Sequence, residues 1–364
     1  MALGAADHFG TRLSNGLVVT KPGHWPPELA AITALRVIES AHPQPDERSL
    51  AAGAAVASTI ASVPERGQIL FLVSGGASSL VERLVAGVDL GDLRRINDWA
   101  IASGRPIGEV NALRRAISGI KGGGLAALAG RRTTLALMIS DVPRDDPAVI
   151  GSGLLHAGAA LGVMTRSLPP EIAEIVTRAG RAPRRMTEVP DVPYRIVASI
   201  RDACRAAAQC GAARGLGVTL SRRRFAGDAA GLGRRFARAV LAGPPQTLHV
   251  WGGESTITLP ARPGCGGRSQ HLALSAAGVL AGTRDAALLA AGTDGIDGVT
   301  ADAGAIVDGG TLERGRDAGL DAGRCLSGAD SGRFLEASGD LLHTGPTLTN
   351  VGDVVLGGKG SRVE

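Results

Sequence analysis

The segment ILFLVSGGASS, residues 69–79, decides the predicted fold of this chain. Its first five residues form an apolar run typical of a buried parallel strand, and its serines and glycines are typical of the turn from a strand to a helix. Apolar runs at residues 134–139 and 194–198 also lead into a polar turn or an alanine-rich helix. This alternation predicts an α/β protein whose layered parallel or mixed sheet carries helices on both faces, in a Rossmann-like arrangement.

The rest of the chain continues the alternation of helices and strands. Further helices are predicted over residues 28–40, 50–62, 201–213, 228–241 and 270–280. Further strands are predicted over residues 247–250, 256–259 and 286–290. The Gly243-Pro244-Pro245 stretch is typical of a linker. We therefore predict a larger amino-terminal domain over residues 1–243 and a smaller α/β domain over residues 244–364.

The composition of the 364 residues argues against several classes of protein. Aromatic residues make up only 2% of the chain, which argues against binding of single-stranded nucleic acid by base stacking. No apolar run approaches the length of a spanning helix, and the first residues lack the pattern of a secretory signal, so we expect a cytoplasmic protein. The four cysteines form no C-x-x-C pair, which argues against a zinc site. The formal charge of +5 fits either an anionic substrate or a coding bias toward arginine.

The turn after the first quoted strand contains four candidate binding residues, Ser74, Gly75, Gly76 and Ser78. Its glycines let a ligand approach the backbone, and its amides and hydroxyls are donors of the kind that bind anions at strand-to-helix turns. A tight turn in which a serine caps the next helix explains the same residues. The sequence leaves both interpretations open.

A second candidate segment, EVNALRRAISGIKGGG at residues 109–124, contains Asn111 and Lys121. Its first half has a helical pattern, and Lys121, one of only three lysines in the chain, precedes three glycines. We interpret Lys121 as a phosphate contact, and a helix-end charge is the alternative. The segment is not a Walker A loop, since the chain contains no Gly-Lys-Ser or Gly-Lys-Thr. A loose match to the dinucleotide fingerprint at residues 122–127 is rejected, because a helix and not a strand precedes it.

Carboxylates follow the strand predicted at residues 134–139. Asp141 comes almost directly after that strand, and Asp145 and Asp146 follow in the same turn. Because Mg²⁺ prefers one or two carboxylates together with substrate phosphates, this turn is a candidate ligand site. Asp141 is the better candidate, since Asp145 and Asp146 lie just before a proline and are expected to cap a helix.

Several glycine- and hydroxyl-rich segments near the carboxyl end hold the remaining candidates. The loop GCGGRSQ, residues 264–270, sets Gly267 and Arg268 before a helix, and arginine suits bidentate binding of carboxylate or phosphate oxygens. The segment TDGIDGVTAD, residues 293–302, does not fit a calcium loop, because Ile296 and Gly298 stand where oxygen ligands are needed. The further candidates are Glu254, Thr293, Asp294, Asp297, Thr347 and Asn350.

Taken together and in this order, the motifs resemble those of the MOFRL-type glycerate kinase family. They are SGGASSL, EVNALRRAISGIKGG, SDVPRDDPAVIGSG, WGGESTITL, GGRSQ, AGTDGIDGVTADAGAIVD and HTGPTLTNVGD, with KPGH and AHPQPDE nearer the start. The resemblance extends from about Leu17 to Asp353. It implies a larger α/β domain, a smaller MOFRL domain and an active site in the cleft between them. By motif match, the residues that line this cleft are Ser74–Ser78, Lys121 and Asp141 on one wall and Glu254, Arg268, Asp294, Asp297, Thr347 and Asn350 on the other.

The resemblance also implies a reaction, in which ATP and Mg²⁺ phosphorylate the 2-hydroxyl of D-glycerate. We assign Arg268 to the transferring phosphate or the glycerate carboxylate and Lys121 to phosphate. Asp294 and Asp297 are assigned to Mg²⁺ or to orienting the substrate hydroxyl. The expected partners are ATP and glycerate or a related hydroxy acid, without nucleic acid or membrane, and a homodimer is one option. Hydroxypyruvate reductase, a name attached to some members of the family, and a ligand-binding protein without activity are the alternatives.

This chain departs from the family pattern at several positions. Ala77 replaces a glycine of the first loop, and Arg144 and Leu348 stand where the family has glycine. Gly124 replaces an arginine, and His271 replaces a glutamate. The glycine-lysine-alanine turn that the family carries upstream of its KPGH segment does not occur within residues 1–364, so we expect a form extended upstream to be more stable and more active.

Overall fold

The computed structural model describes residues 1–105, 107–158, 168–181 and 189–360. Its backbone contacts divide the chain into two compact units, Met1–Val197 and Ala198–Glu364. The domain boundary predicted at residue 243 therefore falls inside the second unit, between a helix and a strand. Among the described residues, no helix combines the length and the apolar character needed to cross a bilayer.

The first unit contains seven helices and five strands within its described residues. The helices are α1 (Ala2–Phe9), α2 (Glu47–Ser62), α3 (Ala77–Leu80), α4 (Leu90–Ala102), α5 (Ile107–Ile117), α6 (Gly124–Ala129) and α7 (Pro170–Gly180). The strands are β1 (Gly16–Thr20), β2 (Leu35–Glu39), β3 (Gln68–Val73), β4 (Thr133–Ser140) and β5 (Tyr194–Ser199), of which β5 runs across the boundary between the units. Short 3-10 turns lie at Gly10–Arg12, Pro27–Ala31, Pro143–Asp145 and Ile150–Ser152.

Two small sheets organise the first unit. Strands β1 and β2 are parallel, and β3, β4 and β5 form a three-stranded sheet with β4 in the centre. Because β3 and β4 are also parallel, with Val73 opposite Met138, the turns that follow them lie at the same edge of the sheet. The core against this sheet consists largely of buried side chains from α2, β3, α6 and β4: Ala52, Ile60, Phe71, Val73, Leu125, Ala126, Ala129, Ala136 and Met138.

The second unit is built on one seven-stranded mixed sheet. Its helices are α8 (Ile200–Ala213), α9 (Ala229–Ala242), α10 (Arg268–Leu280), α11 (Thr311–Asp317), α12 (Ala322–Ser327) and α13 (Ser331–Ala337). Its strands are β6 (Gly217–Leu220), β7 (Phe225–Asp228), β8 (Thr247–Thr256), β9 (Ala286–Gly292), β10 (Gly304–Asp308), β11 (Leu341–Leu342) and β12 (Asp353–Lys359). The strand order is β11-β10-β9-β12-β8-β6, and β7 also pairs with β8 in parallel.

Helices cover both faces of the sheet in the second unit, as predicted. A Cβ atom on Gly252 of β8 would lie 2.5 Å from the Cys204 sulfur of α8, whereas the neighbouring Trp251 stacks on Phe236 of α9 with 4.6 Å between ring centroids. Successive residues of a strand point to opposite faces, so α8 and α9 lie on different sides. On the α9 side, α10 packs so closely that a Cβ atom on Gly233 would lie 2.1 Å from the carbonyl oxygen of Leu272.

Most of the predicted elements are confirmed, and two are wrong. The helix predicted over residues 28–40 is the 3-10 turn Pro27–Ala31 followed by β2, because apolar Leu35, Val37 and Ile38 pair with β1 instead of continuing a helical face. The strand predicted over residues 256–259 does not form, and β8 instead runs without interruption from Thr247 to Thr256. Gly253 of β8 pairs with Asp353 on one side and with Phe225 on the other. Because glycine has no side chain, both neighbouring strands can approach β8 at this position and the strand continues.

Candidate active site

Arg268 is the first residue of α10, and its guanidinium is fixed by carboxylates from two neighbouring strands. Its Nε and Nη2 donate to the two oxygens of Asp353 at 2.8 and 2.9 Å, and its Nη1 donates to Glu254 Oε1 at 2.6 Å. Asp353 begins β12 and lies opposite Gly253 of β8, next to Glu254. The antiparallel pairing of β8 and β12 therefore brings both carboxylates to the same end of the sheet, where α10 begins.

Burial and charge act in opposite directions at this cluster. Burial raises the pKa of Asp353, against the opposing effect of the Arg268 charge. Burial lowers the pKa of Arg268, but the charges and hydrogen bonds of Asp353 and Glu254 outweigh it and raise that pKa overall, so the guanidinium stays protonated. A guanidinium has five N–H donors. Within the described ranges, three of these donors bond to Asp353 and Glu254, and the remaining two have no protein partner.

Asp297 fixes the start of α10 and with it the position of Arg268. Its two carboxylate oxygens accept the backbone N–H groups of Ser269 at 3.1 Å and Gln270 at 2.7 Å. The side chain is buried, and burial raises its pKa to about 6 although the two backbone donors act to lower it. A Cβ atom on Gly267 would lie 2.3 Å from the Asp297 carboxyl carbon, so this contact requires glycine. The residues predicted as Mg²⁺ ligands therefore include one, Asp297, whose position fits a helix cap instead.

The turns after β9 and before β12 are joined by hydrogen bonds that place the other candidates. Thr293 Oγ1 donates to the carbonyl of Gly352 at 2.7 Å and accepts the N–H of Val351 at 2.9 Å. Thr347 Oγ1 donates to the carbonyl of Thr293, and the Thr347 N–H donates to the carbonyl of Asp294 at 3.2 Å. Thr293, Asp294 and Thr347 are thus brought together.

The same hydrogen bonds connect this double turn to the guanidinium. Asn350 Oδ1 accepts the N–H of Gly352 at 2.9 Å, and Gly352 directly precedes Asp353. Hydrogen bonds and strand pairing therefore bring the eight candidates predicted between residues 254 and 350 into one region of the second unit: Glu254, Gly267, Arg268, Thr293, Asp294, Asp297, Thr347 and Asn350.

The residues suit a magnesium ion only in part. Among the described residues, no group of three or more His, Cys, Asp or Glu side chains is placed to hold a metal ion. Mg²⁺ commonly takes one or two carboxylates and completes its shell with water and substrate phosphates, so a three-ligand cage is not required. Of the two predicted ligands, Asp294 remains a candidate: it is half-buried in the turn after β9, and its Oδ1 accepts the N–H of Ile296 at 3.2 Å.

In the first unit, two predicted residues are linked by a third that was not predicted. Ser78 Oγ lies 2.8 Å from Ser152 Oγ, and Ser152 Oγ donates to Asn111 Oδ1 at 3.1 Å. Asn111 and Ser152 are buried, and Ser78 is half-buried.

The remaining candidates of the first unit lie at the edge of the β3–β4 sheet. Ser74, Gly75 and Gly76 form the turn after β3, and Asp141 directly follows β4 at the same edge. The helix expected after the glycine turn is only the four-residue α3. The predicted anion cradle therefore lacks the long helix N-terminus that would strengthen it.

Lys121 does not fit the predicted phosphate contact. Its ammonium forms an ion pair with Glu82, and the two side chains are 1% and 0% exposed. Ser118 Oγ donates to the other oxygen of Glu82 at 2.6 Å and accepts the backbone N–H of Lys121 at 3.2 Å. A buried lysine with a buried counter-ion is an internal element of the first unit, and its charge is already compensated.

Asp353 and Ser152 are the residues that sequence reasoning missed. Asp353 closes the TNVGD motif, and Ser152 lies between the two glycines of the IGSG motif. Both motifs were recognised in the sequence. A local motif does not show, however, that one of its polar residues contacts a side chain far away in sequence.

Comparisons with known proteins identify the family of this chain. Residues 1–161 match the family described as a domain of unknown function, DUF4147, and residues 247–353 match the MOFRL family. A putative hydroxypyruvate reductase of Agrobacterium vitis is 37% identical over 93% of this chain and 91% of its own length. The D-glycerate 2-kinase of Thermotoga maritima is 33% identical over 98% of this chain and 87% of its own length. The crystal structure of a Thermotoga maritima glycerate kinase superposes with a TM-score of 0.83 at 31% identity, over 99% of this chain and 88% of that one. The chain therefore belongs to the MOFRL-type glycerate 2-kinase family.

Proposed function

We propose that this protein transfers the γ-phosphoryl group of ATP to the 2-hydroxyl of D-glycerate and releases 2-phosphoglycerate and ADP. The observation that carries the proposal is the fixed guanidinium of Arg268, which is held on one side by Asp353 and Glu254 and keeps two N–H donors without a protein partner in the described ranges. The relatives named D-glycerate 2-kinase and glycerate kinase support the same reaction and the use of ATP.

The reaction needs positioning and charge stabilisation more than covalent help from the protein. The 2-hydroxyl oxygen forms a bond to the γ-phosphorus, the bond from that phosphorus to the bridging oxygen of ADP breaks, and the hydroxyl proton leaves to solvent or a nearby base. Negative charge spreads over the γ-phosphoryl oxygens during this step. The N–H donors of Arg268 stabilise that charge without having to reorganise, because α10 and Asp353 already hold the side chain in place.

A divalent cation fits the charge of the site. The cluster sets two carboxylates, Glu254 and Asp353, against one guanidinium, so it lacks the excess positive charge that a polyphosphate needs. We assign Asp294 as the carboxylate that binds Mg²⁺. The ion enters the site together with ATP. When bound, Mg²⁺ neutralises phosphate charge and orients the transferring group. Thr293 and Thr347 hold the Asp294 turn in place through the hydrogen bonds to Gly352 and to the Thr293 carbonyl.

Hydroxypyruvate reduction is a second candidate because two relatives carry that name. A nicotinamide site of the usual kind needs a glycine turn between a strand and a helix. The loose sequence match at residues 122–127 instead follows α5 and opens the six-residue α6. We therefore favour the kinase.

The deciding experiment measures both reactions on the same preparation. ADP release with D-glycerate and Mg-ATP should be robust, should disappear in excess EDTA, and should return when Mg²⁺ is added. Phosphorus NMR should identify the product as the 2-phosphate. NADH oxidation with hydroxypyruvate and no ADP release would favour the reductase. Binding of D-glycerate without either reaction would mean that the protein only holds its ligand.

A further inference from the structure

Arg115 is a half-buried cation that the site described above does not use. It lies on α5 one turn after Asn111, so the two side chains share one face of the helix. In the part of the chain that the structure describes, no hydrogen bond or ion pair engages its guanidinium. Burial lowers the pKa of Arg115, against the opposing charge of Asp146. A partly desolvated guanidinium without a bonded partner gains most from a bound anion.

The side chain of Arg115 lies beside the backbone of two glycines, with its guanidinium next to Gly158 and its aliphatic part next to Gly122. A Cβ atom on Gly158 would lie 2.9 Å from Arg115 Nη1, and one on Gly122 would lie 3.0 Å from Arg115 Cδ. The N–H of Gly122 donates to the carbonyl of Ser152 at 3.3 Å. Arg115 is therefore next to the turn that carries Ser152.

That turn has an unusual backbone. Gly151, Ser152 and Gly153 have φ angles of 58°, 60° and 71°, so three successive residues adopt the left-handed region. Ser152 is the residue for which this conformation is costly, and such strain persists where the surrounding structure holds it. Its hydroxyl is held between Ser78 and Asn111. The strained turn thus places the Ser152 hydroxyl at the face of α5 that carries Asn111 and Arg115.

We propose that Arg115, together with Asn111 and Ser152, forms a subsite that binds the carboxylate and an adjacent hydroxyl of the hydroxy-acid substrate. The proposal rests on the function proposed above. One guanidinium matches the single charge of a carboxylate and can bind it bidentately. Neutral hydroxyl and amide groups suit the hydroxyls of glycerate. A polyphosphate would need further cations, and the nearby Asp146 opposes additional negative charge.

The test compares binding and kinetics in Arg115→Met, Arg115→Lys and the matched control Arg131→Met, which removes an exposed arginine of the same unit. Calorimetry measures D-glycerate, glycerol (which lacks the carboxylate) and ATP separately, and steady-state assays give KM for D-glycerate and for ATP. Arg115→Met should weaken D-glycerate binding and raise its KM at least about tenfold, the effect of losing a charge-assisted hydrogen bond. Glycerol and ATP binding should not change, Arg115→Lys should lie between, and Arg131→Met should match the wild type.

Each other result has a clear meaning. Unchanged D-glycerate binding in Arg115→Met, in a protein that still makes ADP, overturns the subsite and leaves the kinase function intact. Weaker ATP binding without a change for D-glycerate overturns the carboxylate assignment. Wild-type protein that binds D-glycerate but makes no ADP contradicts the kinase function, while the Arg115→Met binding result still decides the subsite. Wild-type protein that does not bind D-glycerate at all contradicts both.

Discussion

Asp353 holds Arg268 through two parallel hydrogen bonds, with 2.8 Å from Nε to Oδ2 and 2.9 Å from Nη2 to Oδ1. The carboxylate is only 5% exposed at its side chain, whereas Glu254, which contacts the same guanidinium, is 50% exposed. One arginine therefore has a buried partner that fixes its orientation and an exposed partner that water can replace. Asp353 and Glu254 should therefore differ sharply in how much they contribute to the stability of the folded protein.

Replacing each carboxylate with alanine should separate these contributions. Asp353→Ala leaves a partly buried guanidinium without its bidentate partner and should cost about 3 kcal/mol or more of stability. Glu254→Ala should cost less than about 1 kcal/mol, since an exposed ion pair is screened by water. Chemical unfolding of the two variants measures the difference. Equal losses would mean that burial does not distinguish the two partners.

A double variant should separate the structural role of Arg268 from its role in transfer. Replacing a buried ion pair with apolar residues of similar size is often neutral or stabilising, so Arg268→Met combined with Asp353→Leu should unfold at nearly the wild-type midpoint. The same protein should lose about a hundredfold or more of kcat, because the donors that meet the developing phosphate charge are gone. A folded double variant with wild-type kcat would remove Arg268 from the reaction.

The ion pair of Lys121 and Glu82 leads to the opposite expectation. Lys121→Met alone leaves a buried, uncompensated Glu82 carboxylate and should cost about 3 to 5 kcal/mol. Adding Glu82→Leu should restore much of that stability, and the double variant should keep the kcat of the wild type per folded molecule. Thermal unfolding and ADP release measure the two effects. Restored stability with lost activity would return Lys121 to the role of a phosphate contact.

Arg268 and Lys121 show what local sequence patterns can and cannot predict. Both are cations beside glycines, and motif order placed both in the site. The side chain of Arg268 bonds to two carboxylates at one end of a sheet, and the alternation of strands and helices predicts that ligands bind at such an end. Lys121 instead meets Glu82, which belongs to no recognised motif. Local patterns locate turns well, but they do not say whether a charged side chain in a turn faces a ligand or a buried counter-ion.

The same limit of local patterns explains why the sequence did not reveal the helix cap at Asp297 or the strand within residues 28–40. A carboxylate in a glycine-rich turn is equally typical of a metal ligand and of a helix cap, and only the approach of α10 decides for the cap. The apolar residues of 28–40 are compatible with a helical face, and only pairing with β1 makes residues 35–39 a strand. In each case a contact distant in sequence outweighs the local pattern.

Asp297 should make stability depend on pH. Its pKa in the folded protein is about 6, above the ordinary value of 3.8, so the folded state holds this proton more tightly than the unfolded state does. The stability from Asp297 is therefore complete below about pH 4 and falls as the pH rises toward 6, by up to about 3 kcal/mol. Asp297→Asn cannot titrate and also replaces one acceptor by an amide donor.

Unfolding midpoints of the wild type and Asp297→Asn at several pH values test this expectation. The variant should be less stable throughout, because the amide cannot accept both backbone N–H groups of α10. Its deficit should be larger near pH 4 than near pH 7, where the wild-type carboxylate has ionised at a cost. A deficit that grows with pH would show that the backbone donors outweigh burial and that the pKa of Asp297 is lowered.

Leu348 occupies a backbone conformation that suits glycine. Its φ is 62°, and it is 51% exposed, so its side chain gains little from burial. Arg144, with a φ of 65°, is another position where the family resemblance places glycine, whereas Ala77, the third such position, has no positive φ. The left-handed conformation costs an ordinary residue roughly 1 to 2 kcal/mol, and the greater freedom of unfolded glycine offsets about half of that.

Leu348→Gly should therefore stabilise the protein by about 0.5 to 1 kcal/mol and raise the unfolding midpoint by roughly one degree. The matched control is Leu259→Gly, at an equally exposed leucine whose φ is not positive, where the same change should destabilise by about 0.5 to 1 kcal/mol. Because Thr347 Oγ1 bonds the Thr293 carbonyl from the adjacent position, ADP release by Leu348→Gly also reports whether the turn keeps its shape. Parallel losses in the two variants would mean that the backbone at Leu348 is not strained.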